Sequence, residues 1–169
     1  ISDGRFEFGI GAGWNQKEME NHGTVYSTRF AKMKDQILAM RTIWSEEEAE
    51  YHGDFVNFEP MWSWPKPVQK PCPPIILGGE SIHTLRRVVD YCDGWLPRAR
   101  DPEEVLKGMD TLKSLASEAE REIPVSVFAP APKWLTAFRD AGAKRSILIL
   151  PAEGTDATLQ RMDEYASII

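Results

Sequence analysis

Short apolar runs alternate along the chain with segments in which apolar residues recur at three- and four-residue steps. Such runs are typical of buried strands, and such steps place apolar side chains on one face of a helix. A small hairpin is predicted at residues 51–58 around Gly53 and Asp54, with residues 61–64 as a loop after it. The remaining pattern predicts helices alternating with strands at residues 5–11, 75–77, 125–128 and 145–151 and with a very short strand at the turn of residues 93–97.

Polar residues with short side chains mark the points where the helices begin. We expect N-caps at Asn15, at Ser27 or Thr28, at Ser81, at Asp101 followed by Pro102, and at Asp156. Each long helix carries an apolar face that we expect to be buried. These faces consist of Phe30, Met33, Ile37, Met40 and Trp44; Ile82, Leu85, Val88 and Val89; Val105, Met109, Leu112 and Ala116; and Leu159, Met162, Ala166 and Ile169.

Strict alternation of strand and helix requires parallel strands joined by crossover helices, which is the α/β class. A complete (β/α)₈ barrel takes about 250 residues, so five βα units in this length match the last part of an incomplete TIM barrel. Since the chain starts at Ile1 in mid-pattern, we expect a single domain, residues 1–169, that lacks N-terminal units. A five-stranded doubly wound sheet is the competing architecture, but Gly9, Gly11 and Gly13 lack the dinucleotide spacing that would favour it.

Composition excludes several classes of function. At 169 residues, 42% hydrophobic and 27% charged, the chain can bury a substantial core. Its formal net charge of -6 argues against nucleic-acid binding, which needs a basic face. No apolar run approaches the length of a membrane span. Cys72 and Cys92 lack metal-ligand spacing, so we expect reduced thiols in a cytoplasmic protein.

The glycine pair Gly78-Gly79 stands between a predicted buried strand and a helix that begins at Ser81. Glycines at such a turn let the backbone approach a ligand closely and aim N–H groups at an anion, although the same pattern also makes an ordinary tight turn. The other strand ends carry Gly11 to Trp14, and Trp95 with Arg98 and Arg100. Because parallel strands end on one face, these segments are candidates for a site that holds a flat, phosphate-bearing cofactor.

The sequence gives less evidence for catalytic side chains than for a cofactor-binding site. His22, His52 and His83 are scattered without partners at metal spacing, so we expect no metal site. No self-contained acid–base pair is visible, and the catalytic residues stay unknown.

Several segments taken together resemble the luciferase-like oxidoreductases, most closely the branch that uses the deazaflavin coenzyme F420. The segments that carry the resemblance are residues 4–14, 29–44, 51–58, 65–81 and 93–97. The resemblance implies a (β/α)₈ barrel in which Gly78, Gly79 and Ser81 bind the cofactor phosphate. It also implies that Ala12, Gly13 and Trp14 flank the ring, and that hydride passes between the cofactor and a small-molecule substrate.

The resemblance has one large departure, because family members carry earlier βα units that are absent here. We therefore expect an isolated chain that is inactive until missing units or a homo-oligomeric partner complete the barrel. Two alternatives stay open: an FMN-dependent luciferase-like monooxygenase, and a non-catalytic remnant that serves as an interaction domain.

Overall fold

The computed structural model describes residues 2–168 and divides into two compact units, residues 1–76 and 77–169. The expectation of a single domain stays a prediction. The first unit contains β1 (Phe8–Ile10), α1 (Gln16–Asn21), a short 3₁₀ turn (Tyr26–Thr28), α2 (Arg29–Ser45), β2 (Glu48–His52) and β3 (Asn57–Trp62). The unit boundary falls within β4 (Ile75–Gly78). The second unit continues with α3 (Ile82–Tyr91), β5 (Gly94–Leu96), α4 (Pro102–Glu118), β6 (Ser126–Phe128), a 3₁₀ turn (Pro132–Trp134), α5 (Leu135–Asp140), β7 (Arg145–Ile147) and α6 (Thr155–Ala166).

The predicted hairpin is confirmed in the first unit. Strands β2 and β3 pair antiparallel, with Glu48 opposite Trp62 and His52 opposite Asn57. The loop predicted at residues 61–64 is wrong in its first half, because Met61 pairs with Ala49 and the strand continues to Trp62. Pairing with a neighbouring strand therefore overrides a local sequence that lacks strand alternation.

Helix α2 contributes part of the core of the first unit. Met33, Ile37 and Ala39 are buried, whereas Phe30 and Trp44 are only half-buried. The prediction of a fully buried stripe is therefore confirmed only in its middle, because a helix that covers a small sheet leaves its ends open to solvent.

The N-caps of the first unit are partly as predicted. Asn15 caps α1 by accepting a hydrogen bond from the Glu18 N–H. Thr28 occupies the N-cap position of α2, but its hydroxyl donates to the Val25 carbonyl at 3.1 Å. Side-chain capping of α2 is therefore a wrong prediction, since the preceding 3₁₀ turn uses that hydroxyl.

Parallel strands, as predicted from the alternation, form the sheet of the second unit. Strands β6 and β7 pair in parallel, and parallel bridges join Trp95 to Val125 and Arg98 to Phe128. The end of β4 lies beside β5. The fold is therefore a mixed α/β fold with crossover helices, as strict alternation requires.

Helices α3 and α4 cover this sheet with the predicted apolar faces. The buried side chains include Leu85 and Val88 of α3, and Val105, Met109, Leu112 and Ala116 of α4. The Asp101 carboxylate accepts from the Glu104 N–H at 3.1 Å, which confirms the predicted cap of α4. Ile82, however, is 42% exposed because it is the first residue of α3, so its predicted burial is wrong.

Helix α6 departs most from expectation. Its N-cap is Gly154, and Asp156 lies within the first turn and does not cap the helix. Leu159 and Met162, predicted to point inward, are 53% and 49% exposed. Periodicity shows which face of a helix is apolar, but not whether a partner covers that face. Ala166 is exposed as well, and Ile169 lies outside the described residues.

Two further expectations concern the chain as a whole. Cys72 and Cys92 are both buried and are not joined by a disulfide bond. Among residues 2–168, no helix combines the length and the apolar character that crossing a bilayer requires.

Candidate functional site

The turn between β4 and α3 has the geometry of an anion site. Strand β4 is buried through Leu77 and ends at Gly78. Gly79 adopts a φ of +115°, a conformation that L-residues rarely take. A Cβ on Gly79 would also lie 3.0 Å from the Thr84 Oγ1. The backbone conformation therefore favours glycine at position 79, and any larger residue would also need the Thr84 side chain to shift slightly.

Helix α3 presents its amino end to this turn. The Ser81 Oγ accepts a hydrogen bond from the Thr84 N–H at 3.2 Å, which confirms the predicted cap. The N–H groups of Ile82 and His83 precede the first N–H that the helix can pair internally, so they point out of its amino end. Together with the positive end of the helix dipole, they favour a bound anion at the turn.

Trp95 in β5 and Arg98 just after that strand hold the turn in place. The Trp95 Nε1–H donates to the Gly79 carbonyl at 2.7 Å. The Glu80 Oε1 accepts from the Arg98 backbone N–H at 3.0 Å and from the Arg98 Nε at 3.1 Å, and Oε2 accepts from a terminal guanidinium nitrogen at 3.2 Å. Trp95 and Arg98, which the sequence suggests as ligand contacts, are therefore engaged within the protein.

The Glu80–Arg98 pair also controls the charge near the turn. Burial raises the pKa of Glu80, but the hydrogen bonds and charge of Arg98 outweigh burial and hold that pKa below its usual value. The same pairing raises the pKa of Arg98. Glu80 is consequently ionised at neutral pH, and Arg98 offsets its negative charge beside the candidate anion site.

The other predicted site residues, Ala12, Gly13 and Trp14, lie in the loop after β1, in the first unit. Gly13 has a φ of +80°, which favours glycine at this position too, and a Cβ there would displace the flexible side chain of Met19, whose sulfur would lie 2.7 Å away. Trp14 is 85% exposed, and its carbonyl accepts a hydrogen bond from the Tyr26 hydroxyl. The structure thus groups Ala12 to Trp14 in one unit and Gly78 to Ser81 at the start of the other.

The hairpin carries a cluster of acidic and histidine side chains that the sequence pattern does not indicate. Glu50, His52 and Glu59 place one potential ligand atom each within 4.8 Å of one another. The expectation that no histidine has a partner at metal spacing is therefore wrong for His52, because strand pairing brings Glu59 to it. All three side chains are exposed, and we regard the cluster as surface charge because exposed acidic groups commonly gather without an ion.

The hairpin cluster predicts a titration behaviour. The hydrogen bond between Glu50 and the His52 Nε2, at 2.9 Å, raises the pKa of His52 above its usual value. The contribution of this hydrogen bond to hairpin stability is therefore present below the unfolded-state pKa of histidine, about 6.5, and is lost as the pH rises through the higher folded-state pKa of His52. We expect Glu50→Gln to lower the pKa of His52 in an NMR titration. Glu48→Gln, the same charge change on the same strand, is the control, and an equal shift in both variants would contradict the assignment.

A cavity of about 580 Å³ lies elsewhere in the second unit, between α4 and α5. Its lining includes Met109, Leu112, Val125 and Gly142. Val125 precedes β6, so the cavity lies at the amino end of that strand. Active sites of parallel α/β folds form at the carboxyl ends, and the cavity contains none of the predicted site residues.

Comparison with known proteins places these features in a family. A sequence profile described as luciferase-like monooxygenase matches residues 1–132. The chain belongs to the luciferase-like monooxygenase family. The match includes the Ala12–Trp14 loop and the turn from β4 to α3, which confirms the resemblance found in the sequence. Some relatives and structural neighbours of this luciferase-like chain are oxidoreductases or monooxygenases.

The relatives differ in cofactor. An uncharacterized protein of Mycobacterium tuberculosis is 29% identical over 99% of this chain and 60% of its own length. An FMNH₂-dependent dimethylsulfone monooxygenase of Pseudomonas putida is 25% identical over 76% of this chain and 36% of its own length. Among solved structures, an F420-dependent secondary alcohol dehydrogenase matches 80% of this chain and 44% of its own with a TM-score of 0.62 and 20% identity, which supports the fold alone. The luciferase-like chain thus spans about 60% of the length of the curated relatives that it matches over nearly its whole sequence.

Proposed function

We propose that this chain is part of a luciferase-like oxidoreductase that transfers hydride between the deazaflavin coenzyme F420 and a small-molecule substrate. The observation that carries the proposal is the turn from β4 to α3. Gly79 has a φ of +115° beside the amino end of a Ser81-capped helix, where an added Cβ would meet Thr84. Such a turn suits a phosphate group, because glycine permits close approach and the helix supplies N–H donors.

In this proposal each group of residues has a separate role. The N–H groups of Glu80, Ile82 and His83, around the Ser81 cap, bind the cofactor phosphate, and Gly78 and Gly79 keep the space in front of them open. The Ala12–Trp14 loop flanks the ring, for which the exposed indole of Trp14 offers a flat apolar surface. The bound cofactor supplies the hydride chemistry, while the protein orients it and excludes water.

We further propose that the barrel is incomplete in this chain alone. The chain spans about 60% of the length of relatives such as the M. tuberculosis protein. The apolar face of α6, including Leu159 and Met162, is exposed, as expected for a helix whose partner surface belongs to other barrel units or a second copy. The catalytic residues would then lie in those units, and the isolated chain would be inactive.

An FMN-dependent monooxygenase is the second candidate, because the P. putida relative depends on FMNH₂. The two cofactors share a phosphate at the end of a ribityl chain, so the same turn suits either one. F420 and FMN differ in their rings and in the groups beyond the phosphate. The relative affinities of the chain for the two cofactors therefore distinguish the two candidate functions.

A fluorescence titration of the 169-residue chain tests the proposal. We expect weak binding of F420, with a dissociation constant above about 10 μM, and weaker binding of FMN. The phosphate-free deazaflavin and riboflavin should bind least. Tight, stoichiometric binding of F420 would contradict the incomplete site, and preference for FMN would support the second candidate. Absence of any response to F420, FMN and inorganic phosphate would contradict the cofactor site and favour an interaction domain.

A further inference from the structure

Gly108 lies in the middle of α4, where glycine weakens a helix relative to alanine. A Cβ at this position would lie 2.7 Å from the Trp95 Cη2 and 3.5 Å from both Cζ2 and Cζ3. A separation of 2.7 Å is too short for two carbon atoms. Glycine at position 108 therefore leaves the space that the six-membered ring of Trp95 occupies.

Trp95 has little freedom to move away. Its side chain is 1% exposed, and its backbone N–H donates to the Pro124 carbonyl at 3.0 Å in the parallel bridge to Val125. The opposite edge of the indole donates through Nε1–H to the Gly79 carbonyl at 2.7 Å. The ring is thus held between the α4 backbone and the turn that precedes α3.

The hydrogen bond to Gly79 determines where the next N–H points. The peptide between Gly79 and Glu80 is trans, so its carbonyl and its N–H point in opposite directions. Because the carbonyl is turned toward Trp95, the Glu80 N–H is turned away from that ring. Residues other than glycine rarely adopt the φ of +115° that Gly79 has in this turn.

We propose that Gly108 and Trp95 are positioning residues for the anion-binding turn. Gly108 leaves room for the indole, and the indole holds the Gly79 carbonyl so that the turn keeps its N–H donors aimed at a phosphate. Neither residue contacts the anion. The inference rests on the proposed function, because it assigns to the turn the phosphate that the cofactor would supply.

The experiment is a double-mutant cycle on the 169-residue chain with inorganic phosphate as the probe. Gly108→Ala should move the Trp95 indole N–H and Gly79 amide resonances without phosphate, and weaken phosphate binding about tenfold. Trp95→Phe removes the donor and the part of the ring that contacts Gly108, and should also weaken binding about tenfold. Adding Gly108→Ala to Trp95→Phe should then have little further effect, because the contact no longer exists.

Ser114→Ala is the matched control, since it is a small-to-alanine change on the exposed face of the same helix. It should leave phosphate binding and the indole resonance unchanged. If Gly108→Ala leaves both the resonances and the affinity unchanged, or if its effect persists fully in the Trp95→Phe background, the positioning inference is overturned. If the wild-type chain binds neither phosphate nor cofactor, the proposed function itself is contradicted. Circular dichroism verifies that each variant is folded.

Discussion

Replacing Asp35 by alanine should lower the free energy of unfolding by about 3 kcal/mol. Each hydrogen bond to a charged group contributes about 1.5–3 kcal/mol, but solvent reaches this half-buried site and replaces part of what is lost. The Asp35 carboxylate on α2 accepts three hydrogen bonds from the hairpin. The Tyr51 hydroxyl donates at 2.6 Å, the Phe55 N–H at 2.7 Å and the Val56 N–H at 2.8 Å. Urea denaturation followed by circular dichroism measures the loss.

Two controls separate these hydrogen bonds from a change in net charge. Asp35→Asn keeps one acceptor oxygen and should lose about half as much stability as Asp35→Ala. Asp54→Ala removes an exposed carboxylate from the neighbouring turn and should change stability by less than about 0.5 kcal/mol. Equal stabilities of the Asp35→Ala and Asp54→Ala variants would contradict the role assigned to Asp35.

Titration provides an independent readout of the same contact. The hydrogen bond to Asp35, assisted by burial, raises the pKa of Tyr51 to about 12. Burial raises the pKa of Asp35 as well, but its three hydrogen bonds outweigh burial and hold the pKa below its usual value. The contribution of Tyr51 to stability is therefore present below about pH 10 and is lost as the pH rises through 12. The contribution of Asp35 is present above about pH 4 and is lost at lower pH. In Asp35→Ala, the pKa of Tyr51 should fall toward 10.

Local sequence rules predicted those features that depend on near neighbours. Asp101 and Pro102 mark the start of α4, and the three- and four-residue spacing from Val105 to Ala116 identifies its buried face. The cap at Ser81 and the hairpin around residues 53–54 follow from equally local chemistry. Each of these signals acts within one turn of helix or one reverse turn, and therefore appears in a single sequence.

The missed features depend on residues that are distant in the chain. Asp35 resembles any charged residue on a solvated helix face, yet it accepts hydrogen bonds from residues 16 to 21 positions away. Arg98 resembles a free ligand contact until Glu80, 18 positions earlier, is found to bind it. Gly108 has no local explanation at all, because the indole that requires it comes from another element. Side-chain contacts across elements leave no periodic pattern, so only the folded structure identifies them.

Gly79→Ala should weaken phosphate binding between about 10- and 100-fold. A Cβ at a φ of +115° costs roughly 1–2 kcal/mol, and relaxation of that strain would rotate the peptide that carries the Glu80 N–H. The strain itself lowers stability, whereas the loss of one N–H donor to a charged phosphate lowers the binding free energy by about 1.5–3 kcal/mol, which accounts for the expected change in affinity. The new Cβ would also press on Thr84, whose hydroxyl lies 3.1 Å from the capping Ser81 Oγ, and so disturb the amino end of α3. Isothermal titration with inorganic phosphate measures the change.

Gly142→Ala is the matched control, because the chain offers a second glycine with a similar conformation and different surroundings. Gly142 has a φ of +95°, and a Cβ there would meet no atom within 4 Å. Both variants therefore carry comparable backbone strain, and Gly79→Ala should lose somewhat more stability because its Cβ also presses on Thr84. Only Gly79→Ala should lose phosphate affinity, because only Gly79 precedes the amino end of α3. If Gly142→Ala weakened phosphate binding as much as Gly79→Ala, general strain would explain the loss, and the turn after β4 would no longer qualify as the anion site.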